Sequence, residues 1–153
     1  MDPVLKKLRY KGQSPICIAG MPESFADVIA GIDANILTVS SSCVVCSWIL
    51  FFVSNEEQVR AAASCLGETM AGDPTIWFAY PKGTSKKYKS EINRDKGWLP
   101  LGDQGFDPVS QVAIDEDWSA LRFRKVSSIR ALTRSKLGAI SQEGKARTQN
   151  NAT

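Results

Sequence analysis

Short apolar runs alternate with amphipathic segments along most of the chain, and each change of pattern predicts a change of secondary structure. Four apolar runs have the length and composition of buried strands: 15–20, 35–40, 44–53 and 75–80. The run at 44–53 is the most apolar of them, which is typical of a strand at the centre of a sheet that is covered on both faces.

Two of the segments beside these runs are predicted to be short helices. Asp2 and Pro3 have the pattern of an N-cap followed by a first-turn proline, which predicts a leading helix that stops near Gly12. A second helix follows the first strand, because apolar residues recur there at positions i, i+3, i+4 and i+7. These residues are Phe25, Val28, Ile29 and Ile32.

The helix predicted after residue 54 carries both a start signal and a buried stripe. Asn55 followed three positions later by Gln58 is a capping-box pattern. Gly72 and Pro74 are predicted to end this helix. Its buried stripe is predicted to comprise Val59, Ala62, Ala63, Leu66 and Met70.

The last part of the body departs from this alternation. Residues 90–105 are predicted to form a short or broken helix, because they contain Gly97 and Pro100. Residues 109–115 and 118–126 are predicted strands with only two residues between them, and so tight a connection requires an antiparallel hairpin.

Alternating strands and helices indicate a parallel sheet with helical crossovers. The predicted fold is therefore a three-layer α/β sandwich, with a mostly parallel Rossmann-like sheet and a C-terminal antiparallel hairpin. The 153 residues, 43% of them hydrophobic, suit one domain, which we predict to span 1–126.

Charge separates this body from the remaining residues. Residues 1–126 carry 14 Lys and Arg against 15 Asp and Glu, whereas residues 127–153 carry five against one. We predict that residues 127–153 form a basic, partly disordered tail, and weak, nonspecific nucleic-acid binding through it is one functional alternative. A solubilising tail is the other interpretation.

Several functional classes are excluded or disfavoured by composition. The chain has no histidine, which rules out Ser-His and Cys-His nucleophilic centres and zinc sites that need imidazole. It shows neither a signal-peptide pattern nor an apolar run of about 20 residues, so a cytoplasmic location is predicted. Cys43 and Cys46 have CxxC spacing, but they lead into an apolar strand, and we expect buried, reduced thiols.

A basic loop follows the predicted strand at 75–80. Pro81 ends that strand, and four lysines then occur within eight residues without an acidic residue among them: Lys82, Lys86, Lys87 and Lys89. Ligands of open α/β sheets bind at the carboxyl ends of strands, so we predict a site for a phosphate-bearing anion there. The alternative is a solvated surface loop with no specific ligand.

Four further residues are candidates for the same site. Asn93 and Arg94 follow the loop closely, and an arginine can hold an anion through two parallel hydrogen bonds. The alternative is a helix N-terminus that Asn93 caps. Ser119 and Arg122 lie on the second strand of the hairpin, where Leu121 and Phe123 alternate with arginines.

The acidic residues at 115–117 precede that strand and have two interpretations. Three neighbouring carboxylates could bind a divalent cation. Acidic residues are also common turn formers in tight hairpins, and we favour that interpretation. No metal site is therefore predicted.

Three motifs resemble a family of small bacterial proteins to which no activity is assigned. They are WFAYPK at 77–82, NRDKGW at 93–98 and VAIDEDWSALRFR at 112–124. The resemblance implies a reduced Rossmann-like sheet of the methyltransferase type, whose last strands also form an antiparallel hairpin.

The chain departs from working methyltransferases in two places. Where they have a glycine-rich turn after the first strand, this chain has Gly20 followed by Met21 and Pro22. The second predicted strand lacks the acidic residue that holds the ribose hydroxyls in such enzymes. We therefore predict no cofactor and take anion binding as the main interpretation, with a divergent S-adenosylmethionine-dependent methyltransferase as the alternative.

Overall fold

The computed structural model describes residues 2–32, 36–37 and 46–125. Six strands within these residues form one sheet, in the spatial order β2-β1-β3-β4-β6-β5. The first four strands of this order are parallel, whereas β6 runs antiparallel to both β4 and β5. The strands are β1 (Ile16–Ala19), β2 (Ile36–Leu37), β3 (Cys46–Phe52), β4 (Met70–Pro81), β5 (Phe106–Ala113) and β6 (Trp118–Lys125).

Helices cover both faces of this sheet. On one face, Leu5, Leu8 and Phe25 pack with the even-numbered side chains of β3. On the other face, Val59 and Leu101 pack with Ile49 and Phe51 of that strand. The helices are α1 (Pro3–Lys7), α2 (Ala26–Ile29, entered through a 3-10 turn at Glu23–Phe25), α3 (Glu56–Thr69) and α4 (Leu99–Gly102).

The predicted three-layer architecture is therefore confirmed. The α1 and α2 helices form one outer layer, and α3 and α4 form the other. No helix among the described residues combines the length and the apolar character that crossing a membrane requires. Several predicted segments lie outside the described residues: 35 and 38–40 of the second predicted strand, 44–45 of the third, Cys43 of the CxxC pair and the basic tail at 127–153.

Local signals placed the helix starts correctly. The Asp2 carboxylate accepts a hydrogen bond from the Val4 N–H at 2.9 Å, as an N-cap does. The Asn55 side chain accepts the N–H of Gln58 at 2.8 Å. The return bond of the capping box goes to the N–H of Ser54, at 2.6 Å from the Gln58 side-chain oxygen, rather than to the N–H of Asn55.

Three predicted elements are wrong in extent. The α3 helix ends at Thr69, and Met70 belongs to β4, where it pairs with Cys46. The amphipathic segment that was predicted to continue to Ile32 is helical only to Ile29. Residues 90–105 contain a helix only at Leu99–Gly102.

One carbonyl oxygen holds the first helix against the sheet. The indole N–H groups of Trp48 on β3 and Trp77 on β4 both donate to the carbonyl oxygen of Leu8, at 2.9 and 2.7 Å. Leu8 is the C-cap of α1, so its carbonyl oxygen lies past the last turn and has no partner within the helix. Both tryptophans are buried beneath α1, so this pair of bonds fixes the helix over the middle of the sheet.

A thiol pair lies in the opposite layer of the core. The sulfur atoms of Cys17 on β1 and Cys46 on β3 are 2.9 Å apart, and both side chains are buried. Burial, together with the hydrogen bond to Cys46, raises the pKa of Cys17 to about 12. A thiol with such a pKa stays protonated at neutral pH, and Cys46 is buried as predicted.

Because Trp48 and Trp77 share one acceptor, the stability losses of their variants should not be additive. Trp48→Phe or Trp77→Phe alone leaves Leu8 with one donor, and each should lower the free energy of unfolding by about 1–2 kcal/mol. The double variant leaves that buried carbonyl without either donor, so its loss should exceed the sum of the single losses. Urea unfolding of the four proteins measures this.

A matched control is available on the other face of the sheet. The Trp98 indole donates to the carbonyl oxygen of Asn93, so Trp48→Phe combined with Trp98→Phe should show additive losses. Additive losses in the Trp48 and Trp77 pair would contradict the shared-acceptor interpretation.

Candidate ligand site at the carboxyl edge of the sheet

The carboxyl ends of β1, β3 and β4 meet at one edge of the sheet. Ala19 is in register with Phe51, and Phe52 with Ala79, so the segments that leave these strands start side by side. In open α/β sheets, this edge is where ligands bind. Three segments of the chain build the site at this edge: the turn after β1, the loop after β4 and the start of β6.

The first segment leaves β1 through a tight turn. Gly20 has a φ of +72°, in the left-handed region that favours glycine. A Cβ at this position would lie 2.7 Å from the carbonyl oxygen of Phe52, a backbone atom that cannot move aside cheaply. The turn presents the side chain of Met21 to solvent and then buries Phe25 against the ring of Phe52, with ring centroids 5.0 Å apart.

The second segment is the basic loop at 82–91, which we call the strap. Its first N–H, that of Lys82, donates to the carbonyl oxygen of Asp117 at 2.7 Å. The Ser85 hydroxyl donates to the Asp117 carboxylate at 2.8 Å, and the N–H of Glu91 donates to the carbonyl oxygen of Ser54 at 2.8 Å. The strap therefore runs along the carboxyl edge from the hairpin turn to the end of β3.

The lysines of the strap lie where the sequence places them, at the carboxyl edge after β4. Lys82 is half-buried, while Lys86, Lys87 and Lys89 are exposed. The Lys87 ammonium group lies 5.5 Å from the centre of the Tyr88 ring. A ligand role for Lys82 and Lys86 stays a prediction.

The third segment is the start of β6, where Trp118 lies opposite Pro81. Its ring packs edge-on against Phe52 at 5.1 Å and is tilted against Tyr88 of the strap at 5.0 Å. The side chain is only 6% exposed, and its indole N–H has no hydrogen-bond partner within the described part of the chain. A buried donor left without a partner typically costs about 1–3 kcal/mol, so an acceptor at this position would be favourable.

A separate polar cluster surrounds Tyr80 on the α3 side of the sheet. The Tyr80 hydroxyl accepts a hydrogen bond from the Gln111 side chain at 2.8 Å and also bonds the side chain of Ser119, its partner in register. Burial raises the pKa of Tyr80, although these two bonds and the charge of Arg94 offset part of the effect. Ser119 therefore serves this cluster, on the opposite face from Trp118.

Asn93 and Arg94 form a turn rather than the helix N-terminus considered as an alternative. The carbonyl oxygen of Asn93 accepts the Trp98 indole N–H at 2.7 Å, and its side chain accepts the N–H of Asp95 at 2.8 Å. Arg94 is well exposed, with its Nε 3.7 Å from the Asp95 carboxylate. Trp98 is buried against Phe78, as expected for a packing residue.

Arg122 is the predicted site residue that lies farthest along its strand from the strap. It pairs with Trp77, on the α1 side of the sheet. It lies four positions after Trp118, about 13 Å along a strand. Lys82 and Lys86 thus belong to the same strap, whereas Ser119 and Arg122 lie on opposite faces of the sheet.

The acidic residues at 115–117 act as turn formers, as the sequence analysis favours. One carboxylate oxygen of Asp115 accepts the N–H groups of Asp117 and Trp118, at 2.8 and 2.9 Å. Asp117 binds the strap, as described above. Across residues 2–32, 36–37 and 46–125, no three Cys, Asp or Glu side chains are grouped so as to hold a metal ion.

Two features of this edge escaped the sequence analysis. The roles of Asp117 as an anchor and of Trp118 as a buried donor depend on contacts with residues about 30 positions away. Ser85 and Tyr88, the hydroxyl and aromatic residues within the lysine loop, were the available signal. A cavity of about 480 Å³ lies elsewhere, between α1 and α2, and none of the predicted site residues lines it.

The tight turn after β1 predicts a large difference between two glycine substitutions. Gly20→Ala should lower the free energy of unfolding by about 1–3 kcal/mol, because alanine disfavours the left-handed conformation and its Cβ meets the Phe52 carbonyl. Gly83→Ala in the strap is the control: nothing lies within 4 Å of the added Cβ, and its effect should be within about 0.5 kcal/mol. Urea unfolding measures both, and equal effects would contradict the contact at Gly20.

Comparison with known proteins places this sheet in a broad structural class. No protein-family model and no curated protein matches the chain, so the resemblance of its three motifs to a bacterial family stays a prediction. Solved structures do match. A SAM dependent methyltransferase from Aquifex aeolicus is 11% identical with a TM-score of 0.55, over 80% of this chain and 88% of that one. The N-methyltransferase NodS from Bradyrhizobium japonicum WM9 is 15% identical with a TM-score of 0.51, over 80% and 92%. This chain has the methyltransferase-like α/β fold.

Proposed function

We propose that the chain is a divergent methyltransferase-fold domain that binds an adenosyl cofactor of the S-adenosylmethionine type at the carboxyl edge of β1 and β3. The observation that carries this proposal is the sheet itself: four parallel strands followed by an antiparallel hairpin, in the arrangement shared with the Aquifex aeolicus protein. The sequence alone favours an anion-binding domain, whereas the fold comparison favours this alternative.

The turn after β1 fits such a ligand in two respects. Gly20 brings the backbone close to the end of β3, and Met21 exposes an apolar side chain at the same edge, where a nucleoside can pack. Pro22 offers no N–H, so this turn has fewer donors than a glycine-rich loop, and we expect modest affinity. When bound, S-adenosylmethionine supplies an electrophilic methyl group.

The proposal assigns the residues of this turn a role in binding the cofactor and no role in catalysis. The backbone N–H groups of Gly20 and Met21 and the side chain of Met21 would hold the cofactor. The Phe25 and Phe52 rings close the floor of the turn and exclude water from it. No step of methyl transfer is assigned to a residue.

Thermal unfolding with S-adenosylhomocysteine tests the proposal. A ligand that binds only the native state stabilises it, by about 2.7 kcal/mol at a concentration of about 100 Kd. We expect the melting temperature to rise with S-adenosylhomocysteine. Met21→Arg should abolish the rise without lowering the melting temperature of the free protein, because Met21 is already exposed.

Leu99→Arg is the matched control, since Leu99 is the other exposed large apolar side chain among those that the structure describes, and it lies on α4. This variant should keep the full rise. An unchanged melting temperature of the unsubstituted protein with the cofactor would contradict the proposal, and equal losses in both variants would contradict the location.

A second candidate function is supported by the strap. Its four lysines lie at the carboxyl edge, and its ends are tied to Asp117 and Ser54, so the cations are held at the rim of the sheet. The Asp117 carboxylate beside the strap already accepts the Ser85 hydroxyl. A phosphate-bearing ligand is the species that such a rim would hold.

Removal of lysines from the strap should weaken phosphate binding more than removal of lysines elsewhere on the surface. Lys82→Ala with Lys86→Ala should weaken binding of pyrophosphate about tenfold or more, because two cations leave the rim. Lys6→Ala with Lys11→Ala removes the same charge from the exposed surface near α1 and should change the affinity little. Isothermal titration calorimetry at constant ionic strength measures both, and equal losses would indicate a nonspecific charge effect.

A further inference from the structure

One of the four tryptophans is unlike the others. The indole N–H groups of Trp48, Trp77 and Trp98 each donate to a backbone carbonyl. The indole of Trp118 is comparably buried, yet its N–H has no partner among the described residues. Buried indole groups are usually hydrogen-bonded, so this donor indicates a position that an acceptor atom can occupy.

The strap covers this position with an aromatic ring. Tyr88 is the only aromatic residue of the strap, is half-buried, and lies 5.0 Å from the Trp118 ring at an interplanar angle of 55°. Phe52 borders Trp118 on another side, edge-on at 5.1 Å. Two flat rings therefore pack against the Trp118 indole, and one of them belongs to the strap.

The middle of the strap is lightly held. Its anchors are at Lys82, Ser85 and Glu91, whereas the backbone N–H of Tyr88 bonds only locally, to the Ser85 hydroxyl at 3.1 Å. The neighbouring side chains of Lys86, Lys87 and Lys89 are exposed. Displacing the Tyr88 ring thus breaks its packing against Trp118 and the core on this face of the sheet, and leaves the anchors intact.

We propose that the strap covers a binding site for an aromatic oxyanion, a flat ring that bears a phosphate or carboxylate group. The ring takes the place of Tyr88 beside Trp118, and an acceptor atom of the ligand receives the Trp118 N–H. The lysines of the strap balance the negative charge. The contact between the lysines and the anion rests on the second candidate function. The contacts of the ring and the acceptor atom rest on the Trp118 geometry alone.

The test follows the indole N–H signals of the full chain in a ¹H–¹⁵N spectrum during titration with phenyl phosphate. Loss of one signal in Trp118→Phe assigns it. We expect this signal to move downfield and saturate, since the N–H gains an acceptor. Cyclohexyl phosphate, of equal charge but without an aromatic ring, should bind about tenfold more weakly, and inorganic phosphate should leave the Trp118 signal in place.

Two variants test whether the ligand displaces the Tyr88 ring or binds against it. Trp118→Phe removes the donor and keeps an aromatic ring, and should weaken phenyl phosphate binding about tenfold. Tyr88→Ala removes the ring that the ligand displaces, and should strengthen binding several-fold. Tyr88 is half-buried but lies outside the strands of the sheet, so Tyr88→Ala remains informative if Trp118→Phe fails to fold.

Each of the other possible outcomes contradicts a specific part of this proposal. If inorganic phosphate binds as well as phenyl phosphate and the Trp118 signal stays in place, the aromatic site is wrong and the second candidate function stands. If no phosphate compound binds, both are wrong. If Tyr88→Ala weakens binding, Tyr88 is a wall of the site and the displacement is wrong. A rise in melting temperature with S-adenosylhomocysteine is independent of all three outcomes.

Discussion

The convergence of two indole N–H groups on the Leu8 carbonyl is the contact on which the packing of one whole face of the sheet depends. The α1 helix has five residues, and so short a helix is not stable alone in water. Its docking covers the aromatic side chains of β3 and β4, which would otherwise be exposed. The bonds reach both central strands at once, so the helix also holds them side by side.

The carboxyl edge of the sheet also depends on hydrogen bonds between segments that are far apart in the sequence. The strap joins the hairpin turn, through Asp117, to the end of β3, through Ser54. Elements that are far apart in sequence are thereby held around Trp118. This arrangement explains how a chain with a single glycine after β1 can still present a defined edge: the edge is shaped as much by the strap as by the first turn.

Local sequence signals were accurate where the structure is locally decided. The N-cap at Asp2 and the Asn55–Gln58 pattern gave the correct helix starts, because each depends on residues a few positions apart. They failed where pairing between distant segments prevailed. Met70 continues the helical stripe of α3, yet it pairs with Cys46 in the sheet. Residues 90–105 are mostly not helical, and a Cβ at Gly97, whose φ is +106°, would overlap Ile92.

The sequence by itself determined the alternation of strands and helices, the closing hairpin and the position of the lysines after β4. These follow from periodicity and from single residues such as Pro81, which act over a few positions. The sequence also predicts that Ser119 and Arg122 lie on opposite faces of the sheet, because side chains an odd number of positions apart on a strand point to opposite faces. Only the tertiary structure decided that Tyr88 lies on Trp118, that Asp117 anchors the strap, and that one buried indole is left without a partner. Those facts depend on how the crossovers stack distant segments at one edge, which no local pattern encodes.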